Sequence, residues 1–427
     1  MESVLVIGAQ WGDEGKGKVS NYFSSKADIV VRYQGGNNAG HSVKFNNHTY
    51  HLQTIPSGVF NKNTLNILGN GMVINPLALF NEINTLKSEG FDCKNIVISS
   101  RAQLDLECHL TLDGLKEAKL KGKKIGTTKK GIGPCYTDKA ARVGLRMCDF
   151  IRDDFDKKYF DLLKEKNDEI AQFGGEPIDF KESIAKYNAV KDVIKPLVKD
   201  TVSILEKARH ENKKIVFEGA QGTMLDIDFG TYPYVTSSNT TSGGAISGSG
   251  IGYGYIEAIV GVVKAYTTRV GEGPFVTEEE NETSTLIREK ANEYGVVTHR
   301  PRRIGWLDLV QLKYSRNVNG FKYISLMLLD ILGYLDEIKV CIDYELDGKI
   351  IDYYPADLDE LKKVKPIYKS FKSWKKDISS CREFSELPNE AKDYILFIED
   401  YLKVKAILIS VGPSKEETII RKDLFDF

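Results

Sequence analysis

The residues best suited to chemistry lie near the start of the chain, in Gly8-Ala9-Gln10-Trp11-Gly12-Asp13-Glu14-Gly15-Lys16-Gly17-Lys18-Val19. A strand-type apolar run at residues 4–7 leads into this glycine-rich, charged loop, and a segment able to begin a helix follows it. That layout turns backbone N–H groups and a helix N-terminus toward an anion, so the loop reads as a phosphate cradle. Gly12 to Lys18 meets the first seven positions of the pattern G-x-x-x-x-G-K, but the eighth is Val19, where a Ser or Thr hydroxyl would hold magnesium. The loop brings its own carboxylate instead, Asp13. A lone Asp after Gly often does no more than cap a helix. Beside Lys16 and Lys18 in an anion site, however, a carboxylate is costly unless it binds magnesium or takes a proton, which leaves metal ligand, base, or both.

His41 closes a second such loop, Gly35-Gly36-Asn37-Asn38-Ala39-Gly40-His41. An isolated histidine is more often structural than catalytic, but one at a glycine-rich strand exit suits general acid work. Gly126-Thr127-Thr128-Lys129-Lys130-Gly131-Ile132-Gly133-Pro134, Gly219-Ala220-Gln221-Gly222 and Thr236-Ser237-Ser238-Asn239-Thr240-Thr241 offer hydroxyl and N–H groups to a phosphate. Arg300-Pro301-Arg302-Arg303 could clamp a carboxylate or phosphate bidentately, or be a solvated basic turn. Arg142 and Arg146 are open between a surface face and an anion site.

These loops need a frame. Apolar, β-branched runs recur at 4–7, 28–32, 66–68, 95–98, 214–217, 259–263, 323–328, 337–342 and 406–410. Many are continuous rather than alternating, as strands buried on both faces of a parallel sheet must be. Helical patterns at 77–89, 110–120 and 196–212 lie between them. The predicted fold class is α/β, a large, mostly parallel central sheet flanked by helices. In such a sheet ligands sit at the carboxyl ends of strands, so the loops after Ile7, Arg32 and Phe217 are expected to converge on one cleft. Residues 150–198 are polar, lysine-rich and helical in period, broken at Gly174-Gly175-Glu176-Pro177. They read as a helical insertion outside the sheet, within a single domain spanning 1–427.

The composition is that of a globular protein, with 41% hydrophobic and 28% charged residues, which excludes the disordered class. A net charge of -1 gives no global field toward nucleic acid or an acidic membrane, so neither partner is expected. The six cysteines form no C-x-x-C pair, which argues against a zinc site or a disulfide framework. No basic segment followed by an apolar one opens the chain, and no apolar run approaches the ~20 residues that span a bilayer. A soluble, cytoplasmic protein is expected.

The strings closely resemble the adenylosuccinate synthetase family. Gln10-Trp11-Gly12-Asp13-Glu14-Gly15-Lys16-Gly17-Lys18, Gly36-Asn37-Asn38-Ala39-Gly40-His41, Gly69-Asn70-Gly71, Gly126-Thr127-Thr128 with Gly131-Ile132-Gly133-Pro134, and Glu218-Gly219-Ala220-Gln221-Gly222 carry the resemblance. Asp226-Ile227-Asp228-Phe229-Gly230-Thr231-Tyr232-Pro233, Thr236-Ser237-Ser238-Asn239, Thr268-Arg269-Val270-Gly271 and Arg302-Arg303-Ile304-Gly305-Trp306 extend it over nearly the whole chain. It implies a P-loop-like GTP-binding architecture with helical insertions. It implies the reaction of IMP, L-aspartate and GTP to adenylosuccinate, GDP and phosphate, with magnesium, through a 6-phosphoryl-IMP intermediate.

By the same resemblance, Asp13 takes the N1 proton of IMP and ligates magnesium together with the Gly40 carbonyl. His41 serves the transferring phosphoryl, and Lys16 and Gln221 complete the catalytic set. Gly12, Gly15, Lys16, Gly17, Lys18, Gly40, His41, Ser42 and Arg302 bind GTP. Asp330 reads guanine, and Ser410, Gly412 and Pro413 close over it. Asn38, Thr128, Thr236, Gln221 and Arg300 join Asp13 at IMP, and Arg142 reaches the IMP phosphate of the other subunit of a homodimer. Thr298, Arg300 and Arg302 take substrate aspartate.

The chain departs from the family pattern at three places. Met327-Leu328-Leu329-Asp330 stands where Thr-Lys-Leu-Asp is usual, Val297-Thr298-His299-Arg300 stands for Thr-Thr-Gly-Arg, and Gln53-Thr54-Ile55-Pro56-Ser57-Gly58 stands for His-Leu-Leu-Pro-Ser-Gly. The first removes a lysine beside guanine, and the second removes a hydroxyl from the aspartate loop. A GTP-binding switch is the alternative from another class, but no N-K-x-D motif supports it. A relative acting on a guanine-type nucleotide is the alternative substrate, and the presence of Asp13 counts against it.

Overall fold

Ser3–Gly8 is buried along its whole length and forms the middle strand, β1. Leu5 and Ile7 enter one apolar cluster while Val4 and Val6 enter another, so alternate side chains feed cores on opposite faces of the sheet. This computed structural model describes residues 1–45, 48–120, 126–295 and 301–425, with the main chain only at 42, 44 and 45.

In chain order the other strands of the central sheet are β2 (Ile29–Arg32), β3 (Leu65–Leu68), β4 (Ile96–Ser99), β5 (Val198–Lys199), β6 (Ile215–Glu218), β7 (Ala258–Lys264), β8 (Tyr323–Met327), β9 (Lys405–Ser410) and β10 (Thr418–Ile420). Their spatial order is β10-β9-β8-β7-β1-β6-β2-β3-β4-β5. All neighbours run parallel except β10, which is antiparallel to β9. The chain leaves β1, builds one edge, returns as β6 between β1 and β2, and then builds the other edge. β1 therefore lies where the strand order reverses, which opens a crevice at the carboxyl ends. The register pairs Val6 with Glu218, Glu218 with Arg32, and Gly8 with Val262, so the three expected loops leave from one rim.

Two sequence expectations are corrected. Residues 196–212 are not one helix. A 3-10 turn at Lys195–Leu197 gives way to β5, and the helix proper is Thr201–His210. Two edge-strand residues are too short a run to declare a period of two. The run beginning at 337 lies outside the parallel sheet. Glu337–Leu346 pairs antiparallel with Lys365–Lys372 in a smaller sheet, and its half-buried residues fit one wet face. Between 150 and 198, helices Phe155–Gln172 and Phe180–Ile194 pack against Glu107–Lys119 and Pro76–Ser88. Phe155, Tyr159 and Tyr187 join these two helices to each other through edge-to-face and stacked rings.

Candidate active site

The loop after β1 is shaped by a buried carboxylate that sequence reasoning passed over. Glu14 is fully buried, and its Oε1 accepts from the main-chain N–H of Gln10 at 3.0 Å and of Gly12 at 2.8 Å. Its Oε2 pairs with Lys16 Nζ at 2.5 Å. A Cβ at Gly8 or at Gly222 would lie 2.6 Å from this carboxylate, so glycine at both positions lets the chain close on it. Gly12, Asp13 and Gly15 take positive φ angles of 86°, 59° and 95°, an unusual conformation for an aspartate. The turn delivers Lys16 as the first residue of helix Lys16–Ser24.

Asp13 remains on the surface of the cavity, with its Oδ2 3.0 Å from Arg302 Nε. Arg302 Nη1 reaches the buried Glu293 Oε2 at 2.5 Å. Glu293 Oε1 in turn accepts from Lys264 Nζ and Tyr266 OH, both at 2.6 Å. Burial lowers the Arg302 pKa, but Asp13 and Glu293 hold it above its ordinary value.

His41 enters from the loop after β2. Its Nε2 lies 3.4 Å from Glu218 Oε1 at the end of β6. Glu218 Oε2 accepts from the main-chain N–H of Ser57 at 3.1 Å. Burial holds the imidazole pKa below its usual value, against the pull of Glu218, and Arg32 and Lys16 lower it further. A neutral ring at physiological pH follows. Arg32, itself 1% exposed, donates to the carbonyls of Gln53 and Gly36 and so folds the two flanking loops together. Gln34 Nε2 donates to Gln221 Oε1 at 2.8 Å, while its Oε1 accepts from the Ala220 N–H at 2.9 Å. Gln221, at φ 56°, is thereby fixed in the cavity that His41 also lines, with its Nε2 buried and unpartnered.

Two polar loops close the far wall. Asp113, on helix Glu107–Lys119, accepts from Thr127 Oγ1 at 2.9 Å and from the Gly131 N–H at 3.0 Å. Glu117 accepts from the Gly126 N–H at 2.8 Å. Asp226 accepts from the N–H groups of Asp228, Phe229, Thr240 and Thr241, which holds the segment carrying Thr236 in place. These walls enclose a cavity of about 800 Å³. Gly12, Asp13, Gly15, Lys16, Gly17, Lys18, Asn38, Gly40, His41, Thr128, Gln221, Thr236 and Arg302 all line it.

The remaining expected residues do not, and Lys18 does so only in part. Lys18 touches the cavity wall, but its Nζ donates to Ser410 Oγ (2.7 Å), Gly412 O (2.9 Å) and Glu417 O (3.0 Å). These contacts tie Lys18 to a separate corner under β8 and β9. Pro413 is exposed at the tip of that corner. Asp330 lies there too, with a buried Oδ1 that has no partner, and burial pushes its carboxyl up to about 6 against the pull of Lys18. Leu328, the departure from the family pattern, sits at φ 58° and packs against the apolar clusters on both sides of β8. Arg142, also at positive φ, is exposed and off the cavity. Thr298, His299 and Arg300 lie outside the described residues, as does the Ser42 side chain. Asp105, His109 and Cys135 form a buried O/N/S cluster, but both nitrogens of His109 are engaged, with the Leu106 N–H at 2.9 Å and Asp138 at 3.0 Å.

A parallel sheet with a glycine loop at its switch point, a lysine at the helix start and a carboxylate facing a histidine define a nucleotide-dependent phosphoryl-transfer enzyme. Comparison with known proteins makes this specific. A family model described as Adenylosuccinate synthetase matches residues 5–419. The adenylosuccinate synthetase of Clostridium perfringens is 49% identical over 429 residues, covering 99% of this chain and 100% of that protein. That of Clostridioides difficile is 49% identical over 428 residues, covering 100% of both. The fully ligated adenylosuccinate synthetase from Plasmodium falciparum superposes with a TM-score of 0.95 at 41% identity, covering 99% of this chain and 100% of that one. The succinoaminodeoxyadenylate synthetase of cyanophage S-2L, solved with dGMP and dATP, shares the fold with a TM-score of 0.62 at 18% identity, over 99% of this chain and 96% of that one.

The chain therefore belongs to the adenylosuccinate synthetase family. It is a GTP-dependent ligase that joins aspartate to IMP, the first step toward AMP. Among the described residues no helix is long and apolar enough to cross a membrane.

Proposed function

We propose that the ligation runs through phosphorylation of IMP at its 6-oxygen, with Asp13 as the base and His41 as the hydrogen-bond donor to the transferring group. The observation that carries this reading is the meeting of Asp13, Lys16, His41 and Gln221 on one cavity wall at the sheet's switch point. The 6-oxygen of IMP is a poor leaving group. Asp13 removes the N1 proton, and the resulting 6-oxyanion attacks the γ-phosphorus of GTP as the bond to the β–γ bridging oxygen breaks. The amine of aspartate then attacks C6 and loses a proton, and phosphate departs with the former 6-oxygen. Lys16 and the loop N–H groups hold charge on the phosphoryl oxygens. A neutral His41 can donate one ring N–H to them, with the Glu218 carboxylate beside the ring.

In this reading Asn38, Thr128 and Thr236 bind the IMP phosphate and Gln221 the base and ribose. Asp330 accepts from guanine N1–H and N2–H, while Ser410, Gly412 and Pro413 cover the base. Arg302, with Thr298 and Arg300, receives aspartate. Lys18 supports the guanine corner and leaves phosphate contact to Lys16. Magnesium suits the donors at hand, because Asp13 offers an exposed carboxylate and Gly40 a main-chain carbonyl on the same wall, both hard oxygens. When bound, the ion would neutralise charge on the nucleotide phosphates. Arg142, exposed and off its own cavity, serves the neighbouring site in a homodimer. The chain acts as one catalytic domain in the cytoplasm, with 150–198 as an insertion.

The test is stoichiometry with GTP, IMP and aspartate. One adenylosuccinate per GDP, with no GDP formed when IMP is left out, is expected. GTP hydrolysis that needs neither IMP nor aspartate contradicts the reading.

A further inference from the structure

Glu293 lies 280 residues along the chain from Asp13, yet only the Arg302 side chain separates their carboxylates. Glu293 is 1% exposed, and so is Lys264. Lys264 Nζ spends one further proton on Thr268 Oγ1 at 2.8 Å. Two carboxylates, Asp13 and Glu293, thus balance two cations, Lys264 and Arg302, in a chain that runs from the interior to the cavity. Burial alone would push the Glu293 carboxyl up, but Lys264 and Arg302 hold it below its ordinary value, so it stays charged. The main chain repeats the link, because the Arg302 N–H donates to the Glu293 carbonyl at 2.9 Å.

We propose that Glu293 is a positioning residue for the ligation, fixing the plane of the Arg302 guanidinium and, through it, the carboxylate of Asp13. A guanidinium is planar, so the Nη1 hydrogen bond to Glu293 sets its tilt, and Asp13 meets its Nε edge as an ion pair at 3.0 Å. Only a charged residue with two acceptor oxygens at position 293 can hold Arg302 on one oxygen and both Lys264 and Tyr266 on the other. An amide in its place has one acceptor oxygen, which Lys264, Tyr266 and Arg302 must share. Arg302 would then swing, carrying Asp13 off the position from which it meets substrate. The inference rests on the roles given above to Asp13 and Arg302.

The experiment is a mutant cycle on the full-length enzyme, measuring kcat and KM for each substrate in Glu293→Gln, Arg302→Gln and the double variant. Glu293→Gln is expected to lower kcat by about 10²-fold, the cost of misplacing a reacting group by roughly 1 Å. KM for aspartate rises, while KM for IMP and GTP stays within about threefold, because the IMP phosphate is held at Asn38, Thr128 and Thr236 and guanine at Asp330, none of which contacts Glu293. In the Arg302→Gln background, Glu293→Gln is expected to cost less than about threefold more in kcat, since residues acting as one unit are not additive. Glu293→Asp, which keeps the charge, recovers part of the rate.

Wild-type kcat and aspartate KM in Glu293→Gln overturn the proposal. So does a full additional loss in the Arg302→Gln background, which is what a merely structural role gives. If Glu293→Gln does not fold, Tyr266→Phe removes only one hydrogen bond to the carboxylate. It is expected to lower kcat about fivefold, with that loss absorbed in the Arg302→Gln background, and an additive loss or none overturns the proposal. Retained turnover in Asp13→Ala would instead refute the catalytic reading itself.

Discussion

The two ends of the nucleotide path are built on opposite principles. At the phosphate end the reacting groups meet partners within the chain: Glu14 with Lys16, Asp13 with Arg302, and the neutral His41 beside Glu218. At the base end Lys18 donates to Ser410, Gly412 and Glu417, while the buried Asp330 Oδ1 has no partner. The first arrangement fixes reacting groups before substrate arrives, so its residues govern turnover. The second leaves an acceptor unsatisfied until a donor pair of the right shape fills it, so its residues govern recognition.

The largest expected effects fall at the phosphate end. Asp13→Ala and His41→Asn should each lower kcat by about 10³-fold or more while GTP affinity, measured by equilibrium binding, changes little. Rates near wild type in either variant would erase the contrast. Asp330→Asn should do the reverse, raising KM for GTP by about 10- to 100-fold with kcat largely kept, as expected for losing a charged hydrogen-bond acceptor. The same residue predicts a pH signature. With its carboxyl raised to about 6, Asp330 is ionised above that pH and accepts both guanine N–H groups, and below it the added proton faces those donors. KM for GTP should therefore climb as pH falls through about 6 in the wild type and stay flat over the same range in Asp330→Asn.

A sharper probe of the phosphate end uses mixed subunits. Arg142→Leu and Asp13→Ala, each nearly inactive alone, should recover about a quarter of wild-type activity after random subunit exchange, because half the sites of each heterodimer are intact. No recovery with exchange verified would deny the shared site. The smallest effect belongs to Asp113, which shapes the Thr127–Gly131 loop from outside. Asp113→Asn should raise KM for IMP about three- to tenfold and leave KM for GTP unchanged.

Much of this was legible in the chain because burial writes itself into composition. β1, β2, β6, β7 and β9 are continuous apolar runs, and the glycine loops that leave them stand out for the same reason. The elements that hid were those without a period or a local partner. β5 has two residues, and the strand at 337–346 carries half-buried residues that only its own smaller sheet explains. The positive φ of Leu328 is invisible in a residue type that rarely adopts it. Of the site, Asp13, Lys16, His41 and Gln221 announced themselves through glycine-rich contexts. Glu14, Glu218, Lys264 and Glu293 did not, because each acts by a charge contact whose partner is set by the fold. Glu14 offered one clue, a second acid inside an anion-binding loop, where a carboxylate needs a partner of its own.

The most direct measurement follows the oxygen. IMP labelled with 18O at the 6-position is turned over with GTP and aspartate, and the released phosphate is analysed by mass spectrometry. Phosphorylation of the 6-oxygen by the Asp13–His41 pair predicts one 18O atom in each phosphate formed. Unlabelled phosphate, with the label lost to water, would contradict it.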